Sequence, residues 1–236
     1  MVNNQKAQLV SAVLTPSNGE TASKDSASKG GKLVLRQFGV STLVGYRSLS
    51  ISAKNDDGKT DKTDYSGYAL GLAGAYRLNL SKSMGLQFEL GVDYSSLSFS
   101  KDLGEFGKLE VNYSTVSLAP FLGFTGGALG GAGFAYFAGL ELFYPVSQSA
   151  TLSILGQKET KDKPFDSFLL YGIRGGAGYR ISDLLAIFGQ FHYHLGSATA
   201  KSETEETNGT ETTTKEVKTK VDLGSLTAGV GMQLNF

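Results

Sequence analysis

The sequence predicts an all-β fold, an eight-stranded antiparallel up-and-down transmembrane β-barrel with short periplasmic turns and long extracellular loops. Three observations predict it. Apolar side chains alternate with small or polar ones in about eight segments, aromatic residues recur at steps of eight, and short connections alternate with long ones. Because a period of two places successive side chains on opposite faces of a strand, each segment has one apolar face and one small or polar face.

Composition excludes several classes of protein. The chain has 236 residues with 31 Gly, 11 Tyr and 14 Phe, and no window offers the roughly 18 consecutive apolar residues that a membrane-spanning helix needs. Its formal net charge is zero, so it lacks the basic surface that binds nucleic acid. It has no cysteine, which excludes disulfides, thiolate metal sites and a thiol nucleophile. The sequence therefore predicts neither a helical membrane protein nor a nucleic-acid partner.

The first segment differs from the rest of the chain. Residues 1–31 are small, polar and charged, which predicts a flexible periplasmic N-terminal tail. The start, MVNNQKAQLV, lacks the basic and apolar stretches of a secretory signal, so for an exported protein we expect this chain to be a mature or recombinant form. The predicted barrel occupies residues 32–236.

The segment LQFELGVDYS shows the alternation most clearly, with Leu86, Phe88, Leu90, Val92 and Tyr94 on one face and Gln87, Glu89, Gly91, Asp93 and Ser95 on the other. In most segments the second face is rich in Gly and Ala and carries few long charged side chains. Such a face coats a protein poorly in water, but it suits the inside of a narrow closed barrel. The apolar faces are therefore predicted to point outward into lipid.

Aromatic spacing supports the same arrangement, in the pairs Phe38 and Tyr46, Tyr68 and Tyr76, Tyr136 and Tyr144, and Tyr171 and Tyr179. A step of eight residues spans roughly 26 Å along a strand, or about 20 Å across a membrane when the strand is tilted. This distance nearly matches the apolar band of an outer-membrane barrel. The pairs are therefore predicted to form two aromatic girdles.

The connections alternate in length along the chain. NLSKSMG, TGGALGGAG and ISDL are short, whereas the long polar connections cover about 55–64, 97–107, 148–164 and 197–218. This predicts short turns and both termini in the periplasm, with the long loops outside. The Thr-, Glu- and Lys-rich composition of the last loop predicts a mobile segment rather than a folded one. Pro120 lacks an N–H, so we expect a bulge or weak point in the fourth strand.

Charged and amide side chains on the inward face form a candidate site. The predicted lumen polar network consists of Arg47, Arg77, Glu89, Asp93, Glu141, Arg174, Gln190, His192 and His194. We expect these charges to be paired, because an unpaired buried charge is costly. The alternative is a narrow proton or ion path. His192 and His194 share the inward face, and a metal site there would need Glu141 or Asp93; satisfied hydrogen bonds are the favoured interpretation, with no metal or cofactor.

The closing segment LTAGVGMQLNF resembles the terminal strand of small OmpA/OmpX-type outer-membrane β-barrels of Gram-negative bacteria, and the resemblance covers Leu33 to Phe236. VSLAPFLGF and YRISDLLAIFGQFHY resemble the fourth strand and the sixth-to-seventh hairpin of PorT-like barrels of Bacteroidota-type bacteria. The resemblance implies contact with the bilayer and lipopolysaccharide, and recognition by the outer-membrane assembly machinery. The insertion signal that it implies consists of Val230, Met232, Leu234 and Phe236.

The fold carries many functions, so the resemblance implies no single one. We predict a non-enzymatic surface or accessory protein that binds a surface protein partner through its extracellular loops. The segment SATLSIL within the third loop is β-prone and could offer a strand edge for pairing. A narrow channel and a lipid-modifying enzyme are the alternatives. Barrels of the PagL type carry His, Ser and an acid together, but His194 and Ser197 are three apart, which turns them to opposite faces.

Overall fold

The computed structural model describes residues 36–54, 59–81, 83–129, 131–208 and 211–236, with side chains except those of 106 and 201–217. The predicted tail, residues 1–31, lies outside the described residues. The described part contains nine strands and one short 3-10 helix, Gly104–Phe106. The strands are β1 Arg36–Lys54, β2 Thr60–Asn79, β3 Met84–Asp102, β4 Lys108–Gly127, β5 Gly133–Ile154, β6 Gln157–Asp162, β7 Leu170–Arg180, β8 Leu185–Asn208 and β9 Glu211–Asn235.

Eight of these strands form a closed ring. β1 pairs with β2 and β9, β4 pairs with β3 and β5, and β7 lies between β5 and β8. Every neighbouring pair is antiparallel. β6 pairs with the end of β5 that extends beyond β7. The prediction of an eight-stranded antiparallel up-and-down barrel is confirmed. Among the described residues, no helix is long and apolar enough to cross a membrane.

The two faces of each strand are placed as the alternation predicts. On β3, Leu90 is 65% exposed on the outside of the ring, whereas the neighbouring Glu89 is 5% exposed on the inside. Leu140 on β5 and Val230 on β9 are likewise exposed. Large apolar side chains therefore cover the exterior, and charged side chains are buried in the lumen, which is the interior of the ring. This inversion of a soluble protein's pattern is the arrangement that a lipid environment requires.

Aromatic side chains form rows near both ends of this apolar exterior. Toward the short turns, Tyr76 lies between Phe38 and Phe88, with ring centroids 5.1 and 6.4 Å away. Toward the long hairpins, Tyr46 is in register with Tyr68, whose ring lies 6.1 Å from that of Tyr94. The backbone register of neighbouring strands thus brings the residues spaced by eight into two rows across the barrel surface.

The predicted long loops contain residues of paired strands. β3 continues to Asp102, β5 and β6 form a hairpin around a turn at 155–156, and β8 and β9 remain paired from Leu185↔Leu234 to Asn208↔Glu211. The prediction of a mobile final loop is wrong for the described backbone of 197–208 and 211–218. Polar composition indicated an unfolded loop, but Thr is β-prone and the two strands satisfy each other's backbone hydrogen bonds.

Two smaller predictions concern β4 and β5. Ala119 and Pro120 have no partner in the β4–β5 register, and a bulge lies beside Ser117, which pairs with Pro145. Pro120 therefore occupies a weak point of the ladder, as expected from its missing N–H. The proposal that SATLSIL offers a free edge is wrong, because this part of β5 pairs with β4 on one side and with β6 on the other.

Candidate functional site in the barrel lumen

Glycines in the middle strand make room for the largest polar cluster. Glu141 on β5 is in register with Gly172 on β7, and Gly172 is in register with His194 on β8. A Cβ added at Gly172 would collide with the carbonyl of Tyr193. The glycine therefore allows the side chains of Glu141 and His194 to meet across the intervening strand.

Arg174 is the centre of this cluster. Its Nη1 lies 2.7 Å from Glu89 Oε2 and 3.5 Å from Glu141 Oε1, and its Nη2 donates to Gln190 Oε1 at 3.0 Å. Glu89 also accepts hydrogen bonds from Ser41, at 3.2 Å, and from the amide of Gln87. One guanidinium thus joins two carboxylates that come from β3 and β5, on different parts of the ring.

The two imidazoles converge on one carboxylate oxygen. His192 Nδ1 lies 2.7 Å and His194 Nε2 lies 2.9 Å from Glu141 Oε2. His192 Nε2 is buried and has no hydrogen-bond partner. The ring of His194 packs against Phe143, with centroids 5.5 Å apart. Glu141 therefore binds Arg174 through one oxygen and both histidines through the other.

A second ion pair lies closer to the long hairpins. Arg47 contacts Asp93 at two points, 2.5 Å from Nη1 to Oδ1 and 3.0 Å from Nη2 to Oδ2. Arg47 Nε also donates to Thr227 Oγ1 at 2.7 Å. A two-point contact with an additional hydrogen bond holds the guanidinium in one orientation and satisfies most of its donors.

Arg77 lies in a different environment, toward the short turns. Its guanidinium donates to the amide oxygens of Gln37, Gln87 and Gln233 at 3.1 to 3.2 Å. No ion pair involves Arg77 among the side chains that the structure describes. Neutral amide dipoles thus solvate this buried charge in place of a counter-ion.

Apolar clusters lie in the lumen on both sides of the cluster around Arg174. The inner aromatic cluster, toward the short turns, consists of Phe121, Ala135, Phe137, Ala186 and Phe188. The outer apolar cluster, toward the long hairpins, consists of Phe143, Phe168, Leu170, Ala198, Val221 and Leu223. The Arg174 guanidinium lies 5.0 Å from the ring centroid of Phe121, and the Arg47 guanidinium lies 4.8 Å from that of Phe143. Cation–π contacts thus join the polar layer to both clusters.

Two cavities between these side chains are small. A cavity of about 30 Å³ is lined by residues that include Asp93, Glu141, Arg174 and His192. Another, of about 20 Å³, lies between Arg47, Tyr113, Phe143 and Phe168 among others. A water molecule needs roughly 10–15 Å³, so each cavity has room for one or two waters and for no larger solute.

All nine residues of the predicted polar network are buried in the lumen. Six of them form one connected cluster, namely Glu89, Glu141, Arg174, Gln190, His192 and His194. Arg47 and Asp93 form the separate pair, and Arg77 is bound by glutamines. The lumen aromatics Phe137, Phe143 and Phe188 were missed, although each has the same inward parity as Glu141 or Gln190. Phe168 precedes β7, so alternation gave no signal for it.

Two other groups of predicted residues lie at least partly on the exterior. Val230, Met232, Leu234 and Phe236, the predicted insertion signal, are exposed along the end of β9. His194 is buried in the lumen, while Ser197 is exposed on the outer face. The pair therefore lacks the proximity that a nucleophile and its base require.

These features define a class of protein, an antiparallel β-barrel with a lipid-type exterior and a lumen filled by an ion-pair network. No model of a known protein family matches the chain, and no curated protein matches its sequence. Solved structures do resemble it. The outer-membrane protease OmpT of Escherichia coli is similar with a TM-score of 0.48 and 10% identity, over 85% of this chain and 97% of that one.

Two further structures extend the comparison. The outer-membrane protein AlkL, determined in lipid bilayers, has a TM-score of 0.46 and 14% identity over 91% of this chain and 97% of its own. A major outer-membrane protein of Thermus thermophilus has a TM-score of 0.46 and 14% identity over 81% of this chain and 99% of its own. All three of these similar structures are outer-membrane proteins.

Proposed function

We propose that this protein is an integral barrel of the bacterial outer membrane, with both termini in the periplasm, that acts as a non-enzymatic surface or accessory protein. Its working surface is the set of long hairpins at the end opposite the short turns. Of the barrels that share this fold, the PorT-like group is the proposed relative, on the segments VSLAPFLGF and YRISDLLAIFGQFHY. The observation that supports the proposal is a lumen occupied by buried ion pairs and apolar clusters, beneath extended, paired hairpins.

The filled lumen favours a role outside the pore. Arg174, Glu89 and Glu141 occupy its centre, and the inner aromatic cluster and outer apolar cluster cover this layer on both sides. An eight-stranded barrel is just wide enough to be filled by side chains in this way. Transport of a solute would require several buried ion pairs to separate together, which is costly.

The long hairpins provide the proposed binding surface. β5 and β6 pair from Ile154↔Gln157 to Ser149↔Asp162, beyond the last residue of β5 that pairs with β7. The β7–β8 register ends at Tyr171↔Leu195, and beyond it β8 and β9 stay paired from Gly196↔Leu223 to Asn208↔Glu211. Backbone pairing orders both hairpins, so we expect a partner to meet a preorganised surface.

Two trimmed variants test the proposal. In the first, 201–218 are replaced by Asn-Gly, which joins Ala200 to Thr219, residues that are partners in the β8–β9 register. In the second, 152–159 are replaced by Asn-Gly, which joins the paired residues Thr151 and Thr160. We expect both barrels to insert, as judged by heat-dependent electrophoretic mobility. We expect a partner protein that is crosslinked to the intact barrel in native membranes to be missing from one variant and still captured by the other. Each variant therefore serves as the control for the other.

The proposal fails if both trimmed variants capture the same neighbours as the intact protein. A narrow channel is the second candidate, favoured by the run of ionisable groups Arg174, Glu141 and His192 beside a cavity of about 30 Å³. It predicts conductance in planar bilayers that changes in Arg174→Gln, whereas a closed lumen predicts a silent bilayer. Lipid A that loses or gains acyl chains on expression would instead indicate an enzyme.

A further inference from the structure

The meeting point of Glu141, His192 and His194 has the composition of a metal site. One ligand atom from each, Glu141 Oε2, His192 Nδ1 and His194 Nε2, lies within 4.8 Å of the other two. Both nitrogens are within 2.9 Å of the same oxygen. All three side chains are buried, and they come from two strands, β5 and β8, that Gly172 of β7 separates. The barrel therefore holds three donors together without help from a loop.

Two imidazoles and one carboxylate form a common ligand set for zinc and related divalent transition metals. In the hydrogen-bonded arrangement, each neutral imidazole donates an N–H to Glu141 Oε2. In its other tautomer the same nitrogen presents a lone pair to a metal ion. Around tetrahedral zinc, neighbouring donors lie roughly 3.3 Å apart, given metal–ligand distances of about 2.0 Å. Each nitrogen would need to move about half an ångström away from Glu141 Oε2, and the two nitrogens, which lie within 4.8 Å of each other, would need to reach the same spacing.

The surroundings of His192 are consistent with this change. Its Nε2 is buried and has no hydrogen-bond partner, so moving the proton to this nitrogen breaks no other bond. The cavity of about 30 Å³ that His192 and Glu141 line has room for a water molecule as a fourth ligand. The adjacent water-sized space fits a metal site that keeps one position for water, and His192 Nε2 would carry the ring proton when Nδ1 binds the metal.

The positive charges nearby are occupied by other partners. Arg174 lies 3.5 Å from Glu141 Oε1, the oxygen that faces away from the histidines, and makes its shorter contact, 2.7 Å, with Glu89. Arg47 is paired with Asp93. Glu141 Oε2 therefore remains available to a cation, and Arg174 can continue to orient the carboxylate as a metal-bound group requires.

We propose that Glu141, His192 and His194 bind one divalent transition-metal ion inside the barrel, with zinc as the probe. The ion would join β5 to β8 across Gly172. Because aromatic and apolar clusters cover the polar layer on both sides, we expect the metal to enter during folding and to exchange slowly afterward. This site is independent of the proposed surface role, which depends on the hairpins.

The test uses the full chain without a histidine-containing tag. His192 and His194 are the only histidines among its 236 residues, and it has no cysteine, so imidazole-dependent binding can arise at this place alone. The protein is refolded from urea into detergent micelles with ZnCl2, desalted, and analysed for zinc by mass spectrometry. We expect about one zinc per folded chain, as for a structural site formed on folding. Refolding with CoCl2 should give the intense visible absorption of four-coordinate cobalt.

Variants identify the ligands. The double variant His192→Gln/His194→Gln should refold without bound zinc, and His194→Gln alone should lose on the order of 100-fold in zinc affinity. Tyr113→Phe is the control, because it removes a buried lumen hydroxyl that is not in the ligand set, and it should retain zinc. Heat-dependent mobility reports folding for each variant.

The proposal is overturned if wild-type protein refolded with ZnCl2 contains no more zinc than wild-type protein refolded with MgCl2 alone. This comparison does not depend on any variant. It is also overturned if the folded double variant binds as much zinc as the wild type. Either result leaves hairpin-dependent partner capture unaffected, so failure of the metal site and failure of the surface role are distinguishable.

Discussion

Arg47 and Asp93 form a two-point ion pair between β1 and β3, strands that are separated by β2. The contacts are 2.5 and 3.0 Å long, and both side chains are buried. Gly71 of β2 is in register with Asp93 and has no side chain to intervene. The lumen is therefore held by contacts across the ring as well as by the backbone ladders around it.

Breaking this pair on one side should be strongly destabilising. Arg47→Met leaves Asp93 buried without its counter-ion, and we expect a loss of about 3–5 kcal/mol in the free energy of unfolding. Replacing both residues, in Arg47→Met/Asp93→Leu, should restore much of that loss because no charge stays unpaired. Urea titration in lipid vesicles measures both values. A double variant that is less stable than Arg47→Met would contradict the buried-pair argument.

A side chain at Gly172 should disrupt the polar cluster. In Gly172→Val, the new Cβ collides with the carbonyl of Tyr193, so β7 must move and the Glu141–His194 contact is lost. We expect a reduced yield of folded barrel, measured by heat-dependent mobility after refolding. Gly74→Val is the control, because an added Cβ at Gly74 meets no atom within 4 Å. Equal yields for the two variants would show that the lumen tolerates the added volume.

A charge on the apolar exterior tests the membrane assignment. Leu90→Arg places a guanidinium among lipid-facing side chains, and we expect a cost of about 2–4 kcal/mol if Leu90 lies near the bilayer midplane. Leu155→Arg is the control, since Leu155 is 72% exposed at the β5–β6 turn, outside the apolar band. Both are compared by unfolding from vesicles. Equal stability of the two variants would mean that the exterior does not face lipid.

Phe236 is proposed to contribute to recognition by the outer-membrane assembly machinery. Its side chain is 74% exposed, while its backbone N–H donates to the carbonyl of Phe38 at 2.8 Å. Phe236→Ala keeps that backbone bond, so we expect normal refolding into detergent but less barrel in the membranes of expressing cells. Phe38→Ala, an aromatic truncation on the neighbouring strand, is the control. Equal membrane levels for the two variants would remove the role of Phe236 as a signal.

Asp64 on the β1–β2 hairpin should titrate below its ordinary range. A hydrogen bond from the Ser50 hydroxyl, and then Lys62, lowers the pKa of Asp64 from 3.8. A carboxyl group with a depressed folded-state pKa favours folding above its unfolded pKa, and this contribution disappears as pH falls through the folded value. NMR titration should show the pKa of Asp64 rising in Ser50→Ala. An unchanged midpoint would exclude the hydroxyl as the main cause.

Most of the fold could be predicted from the alternation of apolar and polar residues along the chain. Alternation of Leu90 with Glu89, repeated in each segment, determined which side chains lie on the exterior and which face the lumen, because the faces of a strand follow from position alone. The same parity marks Phe137 and Phe143 as inward. These two aromatic residues were not predicted to lie in the lumen, because the inward faces were characterised by their small and charged residues. Prediction of an irregular final loop failed because disorder was inferred from composition, whereas strand pairing depends on the backbone of a neighbour.

The sequence by itself determined the eight strands of the ring, their two faces and the nine buried residues of the polar network. Only the tertiary structure decided which charges meet: Asp93 with Arg47, Glu89 with Arg174, and Glu141 with both histidines. It also decided that Phe168, from a connection, enters the outer apolar cluster. The physical reason is that strand periodicity is local, while contacts across a lumen depend on ring closure and on register between strands far apart in the chain.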